Sequence, residues 1–108
     1  MKIKQQKVSE IQNSTKFVLE KNNEIIGRGY IIKREINPIE VYIVPEHQSN
    51  GYGKYLFAYL FNQTKNKGNK ALFFELSEDQ TRFRNIIVKH GALEVGKNGN
   101  KTKYVLKI

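Results

Sequence analysis

The sequence predicts a mixed α/β domain: a central mixed sheet of about six to seven strands with two main helices packed on it. Two observations carry this reading. Short runs with two-residue alternation are interrupted twice by stretches with helical spacing, in the order strands, helix, strand, helix, strands. Glycine and proline fall singly between these runs as punctuation, with no repeat, low-complexity tract or linker, so the 108 residues suit a single domain spanning 1–108.

The elements follow in order. Residues 1–8 read as a short strand with lysines between apolar positions, and residues 9–14 as a short polar connection. Residues 15–20 (TKFVLE) and 24–33 (EIIGRGYIIK) form a hairpin about Asn22-Asn23, and Gly27 and Gly29 mark a bulge or a close backbone approach. Residues 39–44 (IEVYIV) form a strand that Pro45 ends, with Ile39, Val41 and Ile43 on one face and Glu40 and Tyr42 on the other. A helix runs from Gly51 to about Asn66, with Tyr52, Tyr55, Leu56, Tyr59 and Leu60 on one stripe and Gly68 as its stop.

Residues 71–76 (ALFFEL) are nearly all apolar, as in a central strand buried on both faces. With residues 39–44 and the helix between, they make a crossover, so the two strands are expected to be parallel neighbours. A second helix follows, with Ser77 as N-cap and Gln80 completing a capping box. Phe83, Ile86, Ile87 and His90 form its buried stripe, Gly91 terminates it, and His90 caps its C-terminal end. A final hairpin turns about Asn98-Gly99.

Composition narrows the function. The chain has no cysteine, which excludes disulfides, thiolate metal sites and a cysteine nucleophile. No apolar run approaches the roughly 20 residues needed to span a bilayer, and the opening MKIKQQKVSE has no apolar signal core, so a cytoplasmic protein without a membrane partner is expected. The net charge of +9 favours anionic partners, either nucleic acid or a polyphosphate cofactor. Lysine supplies most of that charge, and lysine-rich surfaces are commonly just solvated, whereas specific phosphate reading leans on arginine. His47 and His90 have no second ligand at metal-binding spacing, so no metal is expected.

The segment richest in chemistry is Val41 to Lys54. A strand leads through a glycine-bearing loop into a helix, whose first N–H groups lack partners and carry the positive end of the dipole. Gly51 and Gly53 leave the backbone approachable and Lys54 adds charge, which makes an anion cradle; a plain tight turn reads the same residues equally well. The Walker pattern and the third glycine of a dinucleotide fingerprint are both absent.

Gln48-Ser49-Asn50-Gly51-Tyr52-Gly53 resembles the Q/R-x-x-G-x-G/A motif of the GNAT superfamily of N-acetyltransferases, and Pro45 and the apolar helix behind it share that motif's setting. The downstream stretch FFELSEDQTRFRNIIVKHGALEVG is similar to the same family's following strand, helix and glycine segment. The resemblance implies an enzyme that uses acetyl-CoA. The backbone of Gln48, Ser49, Asn50, Gly51, Tyr52 and Gly53, with Lys54, would hold the pyrophosphate. Val41, Tyr42 and Ile43 would pair with the pantetheine arm, and the N–H of Val41 would stabilise the developing oxyanion. The strands at 39–44 and 71–76 would splay apart to admit the arm. Glu75 stands where protein N-terminal acetyltransferases of the superfamily carry a glutamate base, and would accept the amine proton.

Three departures from the family pattern stand out. Gln80 replaces an asparagine that contacts the cofactor, though its amide can serve. Ile87 occupies the position of a tyrosine that protonates the leaving thiolate, and Ala92 that of an aromatic residue; Tyr42, Tyr59 or Tyr104 could substitute. The helices that wall the acceptor pocket are missing, since only residues 9–14 are available for them, so an open acceptor side suited to a macromolecule, a peptide terminus or a completing subunit is expected.

The leading expectation is direct acetyl transfer to an amine: a protein N-terminus, a lysine or a small molecule. The alternatives are a catalytically weak CoA-binding regulatory module and a basic nucleic-acid-binding protein. Against the last, three tyrosines fall on the apolar stripe of the first helix, which assigns them to the core. Edge pairing through the C-terminal hairpin or residues 1–8 would give a homodimer.

Overall fold

The computed structural model describes residues 1–6 and 13–108. The described residues form seven strands and two helices. They are β1 (Lys2–Gln6), β2 (Ser14–Lys21), β3 (Glu24–Ile32), β4 (Ile39–Ile43), α1 (Tyr52–Asn66), β5 (Ala71–Leu76), α2 (Thr81–Lys89), β6 (Leu93–Asn98) and β7 (Lys101–Lys107), with a single 3₁₀ turn at Pro45–His47. The expected polar connection at 9–14 and the end of the first expected strand fall mostly on residues 7–12, outside the described residues.

The strands divide into two antiparallel sheets, ordered β1-β2-β3-β4 and β5-β7-β6. The β2–β3 hairpin turns through Asn22 and Asn23, both with positive φ (53° and 64°), as a tight two-residue turn requires. Both glycine expectations for β3 hold. The register shifts between Leu19 and Glu20, opposite Ile25 and Gly27. A Cβ on Gly27 would lie 2.7 Å from Ile43 Cδ1, and one on Gly29 would lie 2.5 Å from Leu60 Cδ1. Gly29 therefore lets α1 settle directly onto β3.

The expected parallel pairing of residues 39–44 with 71–76 needs correction. No ladder joins β4 to β5; the backbone pairing between the sheets at this point is a single parallel bridge, Ile36 to Phe73, which the Asn37 side chain supplements with hydrogen bonds to Glu75. Beyond the bridge the strands separate, as the family resemblance implied.

The core joins both sheets to both helices. Phe57 of α1, Phe74 of β5 and Phe83 of α2 form a ring cluster with centroids 5.7–6.4 Å apart. His90 stands 4.9 Å from Phe57, and its Nδ1 lies 3.3 Å from the Ile86 carbonyl at the end of α2. Full burial of a side chain such as Phe57 contributes about 1.5–3 kcal/mol.

Four details differ from expectation. β5 is not buried on both faces: Leu72, Phe74 and Leu76 are buried, but Phe73 is 44% exposed, because the helices cover one face of the sheet. The buried stripe of α1 is Leu56, Phe57, Leu60 and Thr64, while Tyr55 is exposed and Tyr52 and Tyr59 are half-buried. The helix is rotated relative to the expected stripe so that Phe57, whose ring has no hydroxyl to satisfy, fills the core in place of Tyr55. The assignment of three helix tyrosines to the core holds in part: Tyr52 and Tyr59 pack half-buried against it, Tyr55 does not, and Tyr104 is the buried tyrosine. Finally, α2 starts at Thr81 with Gln80 as N-cap, not at Ser77. Ser77 and Gln80 still interact, the Ser77 N–H donating to Gln80 Oε1 at 2.9 Å, but they close the turn before the helix.

Candidate active site

The site grows from the separation of β4 and β5. Hydrogen bonding alternates along an antiparallel strand. The Val44 N–H donates to the Ile26 carbonyl (3.0 Å), and the Pro38 carbonyl accepts from the Ile32 N–H (2.8 Å). Positions 38, 40, 42 and 44 therefore direct their backbone groups toward β3. The N–H and C=O of Val41 point the other way, into the gap, on a strand edge with no ladder beyond it. The Ile43 carbonyl also points away from β3, and the Gln48 side chain donates to it at 3.0 Å, tying the glycine loop to the strand end.

From there the chain turns into α1. Ser49 and Gly51 take left-handed φ values of 67° and 81°, and Gly51 is the N-cap. No neighbour lies within 4 Å of where a Gly51 Cβ would be, so this glycine serves the backbone turn. Gly53 has a different reason. A Cβ there would come 3.2 Å from Ile86 Cδ1, so Gly53 permits the close crossing of α1 and α2.

A cleft of about 400 Å³ opens where these parts meet. Val41, Tyr42, Ile43, Gln48, Ser49, Gly51, Gly53 and Lys54, all sequence-predicted, line it. The sequence reasoning missed Arg82, Asn85 and Lys89 on its α2 side. Arg82, Ile86 and Lys89 are four and three residues apart, so helical spacing was the available signal. Lys54, Arg82 and Lys89 make the cleft cationic, and none of the described residues lining it is acidic. His47 also lines it, 3.7 Å from Glu24 Oε1.

A second recess of about 280 Å³ continues along β4, sharing Val41, Tyr42 and Phe83 with the first. It is lined by Tyr30, Asn37, Glu40, Leu76 and Gln80. Gln80 thus stands at the recess, not in the larger cleft. Glu40 is exposed, paired with Arg34 at 3.0 Å, and forms part of the recess wall.

Three predicted residues lie elsewhere. Asn50 donates to the His47 carbonyl within the loop (3.4 Å). The Tyr52 hydroxyl accepts from Lys21 Nζ at 2.6 Å, beside the β2–β3 turn. Glu75 precedes Leu76, but its Oε1 accepts from Asn98 Nδ2 at 2.9 Å and it lines neither space. Of the tyrosines considered as acids, Tyr42 lines both spaces, while Tyr104 is buried with its hydroxyl accepting from Arg84 Nε (2.9 Å). Ile87 is fully buried and Ala92 nearly so.

Residues 12–91 match the family model described as an acetyltransferase (GNAT) domain. The chain belongs to the GNAT acetyltransferase family. Its fold recurs in solved structures at low sequence identity, a GNAT family acetyltransferase among them. A GNAT family acetyltransferase from Elizabethkingia anophelis, solved with acetyl-CoA bound, superposes with a TM-score of 0.77 at 14% identity over 99% of this chain and 97% of that one. A domain from Methanocaldococcus jannaschii gives 0.76 at 18% identity over 92% of this chain and 70% of that one. The PaiA N-acetyltransferase from Thermoplasma acidophilum, in complex with coenzyme A, gives 0.73 at 16% identity over 89% and 62%. Comparison with curated proteins yields no match. The compact GNAT domain seen here thus has a counterpart of nearly its own length.

Proposed function

We propose that this GNAT domain transfers the acetyl group of acetyl-CoA directly to an amine: a protein or peptide N-terminus, a lysine or a small molecule. The observation that carries the proposal is the unladdered edge of β4, with the Val41 N–H and C=O facing a cleft that runs to the N-terminus of α1. This backbone suits a pantetheine arm, which carries amides of its own. The cationic rim and the α1 N-terminus suit its phosphates. The solved relatives that carry acetyl-CoA or coenzyme A support the same cofactor here.

Acetyl-CoA, when bound, supplies the thioester carbonyl that the acceptor amine attacks, forming a C–N bond as the C–S bond breaks and releasing CoA as the thiol. The chain's own residues do three things. The Val41 N–H donates to the carbonyl oxygen where negative charge develops; loss of one such donor typically costs about 10²–10³ in rate. The walls of the cleft and recess hold amine and thioester together, which removes the entropic cost of their encounter. A carboxylate takes the proton that the amine loses. Glu75 is the candidate drawn from the resemblance, and Glu40, in the wall of the recess, is the candidate drawn from position.

The test is thiol release from acetyl-CoA across a panel of amines, for wild type, Glu75→Gln and Glu40→Gln. The carboxylate that serves as base is expected to show a loss of about 10²–10⁴ on substitution. Acetyl-CoA binding without thiol release for any amine class would replace the enzyme with a CoA-binding regulatory module.

A further inference from the structure

One residue closes the gap between the two sheets, and all of its polar atoms are used. The Asn37 N–H donates to the Phe73 carbonyl at 2.9 Å. Its Nδ2 donates to the Glu75 carbonyl at 3.1 Å, and its Oδ1 accepts from the Glu75 N–H at 2.9 Å. Its own carbonyl accepts from Arg34 Nε at 2.9 Å. The carboxamide therefore reproduces a peptide group: it meets the edge of β5 as a neighbouring strand would, for one residue only. Asn37 has φ of 56°, a left-handed conformation that asparagine tolerates better than most residues. Asn37 also lines the recess, directly below the point where β4 and β5 part.

We propose that the Asn37 carboxamide is the pin that sets the separation of β4 and β5, and so the fit of the slot to the acyl-bearing arm of the cofactor. This rests on the cofactor reading above and adds to it a positioning residue that touches β5 and not the reacting atoms. Two strands diverging from one fixed point have a gap set by that point. Without the two side-chain bonds, β5 is held to this end of β4 by the backbone contacts at Ile36 and Phe73 alone. Glycine at 37 keeps the left-handed backbone and removes only the carboxamide. Aspartate keeps the shape but sets a carboxylate oxygen against the Glu75 carbonyl.

The experiment titrates wild type, Asn37→Gly and Asn37→Asp with two probes: acetyl-CoA, and adenosine 3′,5′-bisphosphate, which lacks the pantetheine arm. Circular dichroism first establishes which variants are folded. Asn37→Gly is expected to lose about tenfold in acetyl-CoA affinity, as when the slot holds its width in only about a tenth of the molecules, and to hold its affinity for the bisphosphate within about twofold. Asn37→Asp is expected to lose at least as much toward acetyl-CoA, and carries the test if the glycine variant does not fold. Unchanged acetyl-CoA affinity, or equal losses for both probes, overturns the pin. A wild-type chain that binds neither probe instead overturns the cofactor reading beneath it.

Discussion

Gly51 separates backbone from side-chain effects unusually well. It caps α1 at φ 81°, and a Cβ at this position would touch nothing within 4 Å. Replacing it with alanine therefore creates no clash, and the whole effect comes from the backbone. An L-residue held in the left-handed region costs about 1–2 kcal/mol. Alanine recovers about 0.4–1 kcal/mol of this by restricting the unfolded chain. The expected net loss is about 0.5–1 kcal/mol. For a domain of this length that lowers the melting temperature by about 2–8 °C. Asparagine is larger than alanine but tolerates the left-handed region, so Gly51→Asn is expected to melt within about 2 °C of wild type. Thermal melts followed by far-UV circular dichroism measure both. The reasoning is refuted if Gly51→Ala matches wild type, or if Gly51→Asn is destabilised as much as Gly51→Ala.

Other positions give further expectations. Gly29→Ala forces a Cβ to within 2.5 Å of the fully buried Leu60, so overpacking of about 1–3 kcal/mol is expected, read as a fall in the denaturant midpoint at unchanged slope. Tyr104→Phe removes the hydroxyl that accepts from Arg84 Nε, and a loss of about 1 kcal/mol is expected in the same denaturant assay. Arg82→Ala with Lys89→Ala strips charge from the cleft rim. Acetyl-CoA affinity should fall several-fold at low salt, and the difference from wild type should shrink as ionic strength rises.

Much of this was legible in the sequence because it is local. Alternation in IEVYIV gave β4 its faces, Asn22-Asn23 gave the hairpin, and helical spacing from Gly51 gave α1. The β4 and loop side of the cleft was legible for the same reason: strand, loop and helix start are contiguous. What stayed hidden depends on elements distant in sequence. Phe57 and Tyr55 compete for the inside of α1, and the choice is made by Phe74 and Phe83, from β5 and α2. The uniform apolarity of ALFFEL suggests two covered faces, but helices on one face leave Phe73 open. Gly53 looks like a phosphate glycine, yet its closest would-be neighbour is Ile86 of the other helix. Asn37-Pro38 carries a turn signal, and no local rule says that the asparagine reaches across to Glu75, 38 positions away. Arg82 and Lys89 join the cleft only once α2 packs beside α1.

The central claim is that the cleft between β4 and the two helices binds acetyl-CoA. Its most direct test is a thermal melt with and without saturating acetyl-CoA, for wild type and Gly51→Glu, which sets a carboxylate at the mouth of the cationic cleft. A ligand at about 100 times its dissociation constant stabilises the fold by about 2.7 kcal/mol. For a domain of this length that is an upward shift on the order of ten degrees or more. The account predicts that shift in wild type and its loss in the variant. No shift in wild type at millimolar acetyl-CoA, or an equal shift in both, would contradict it.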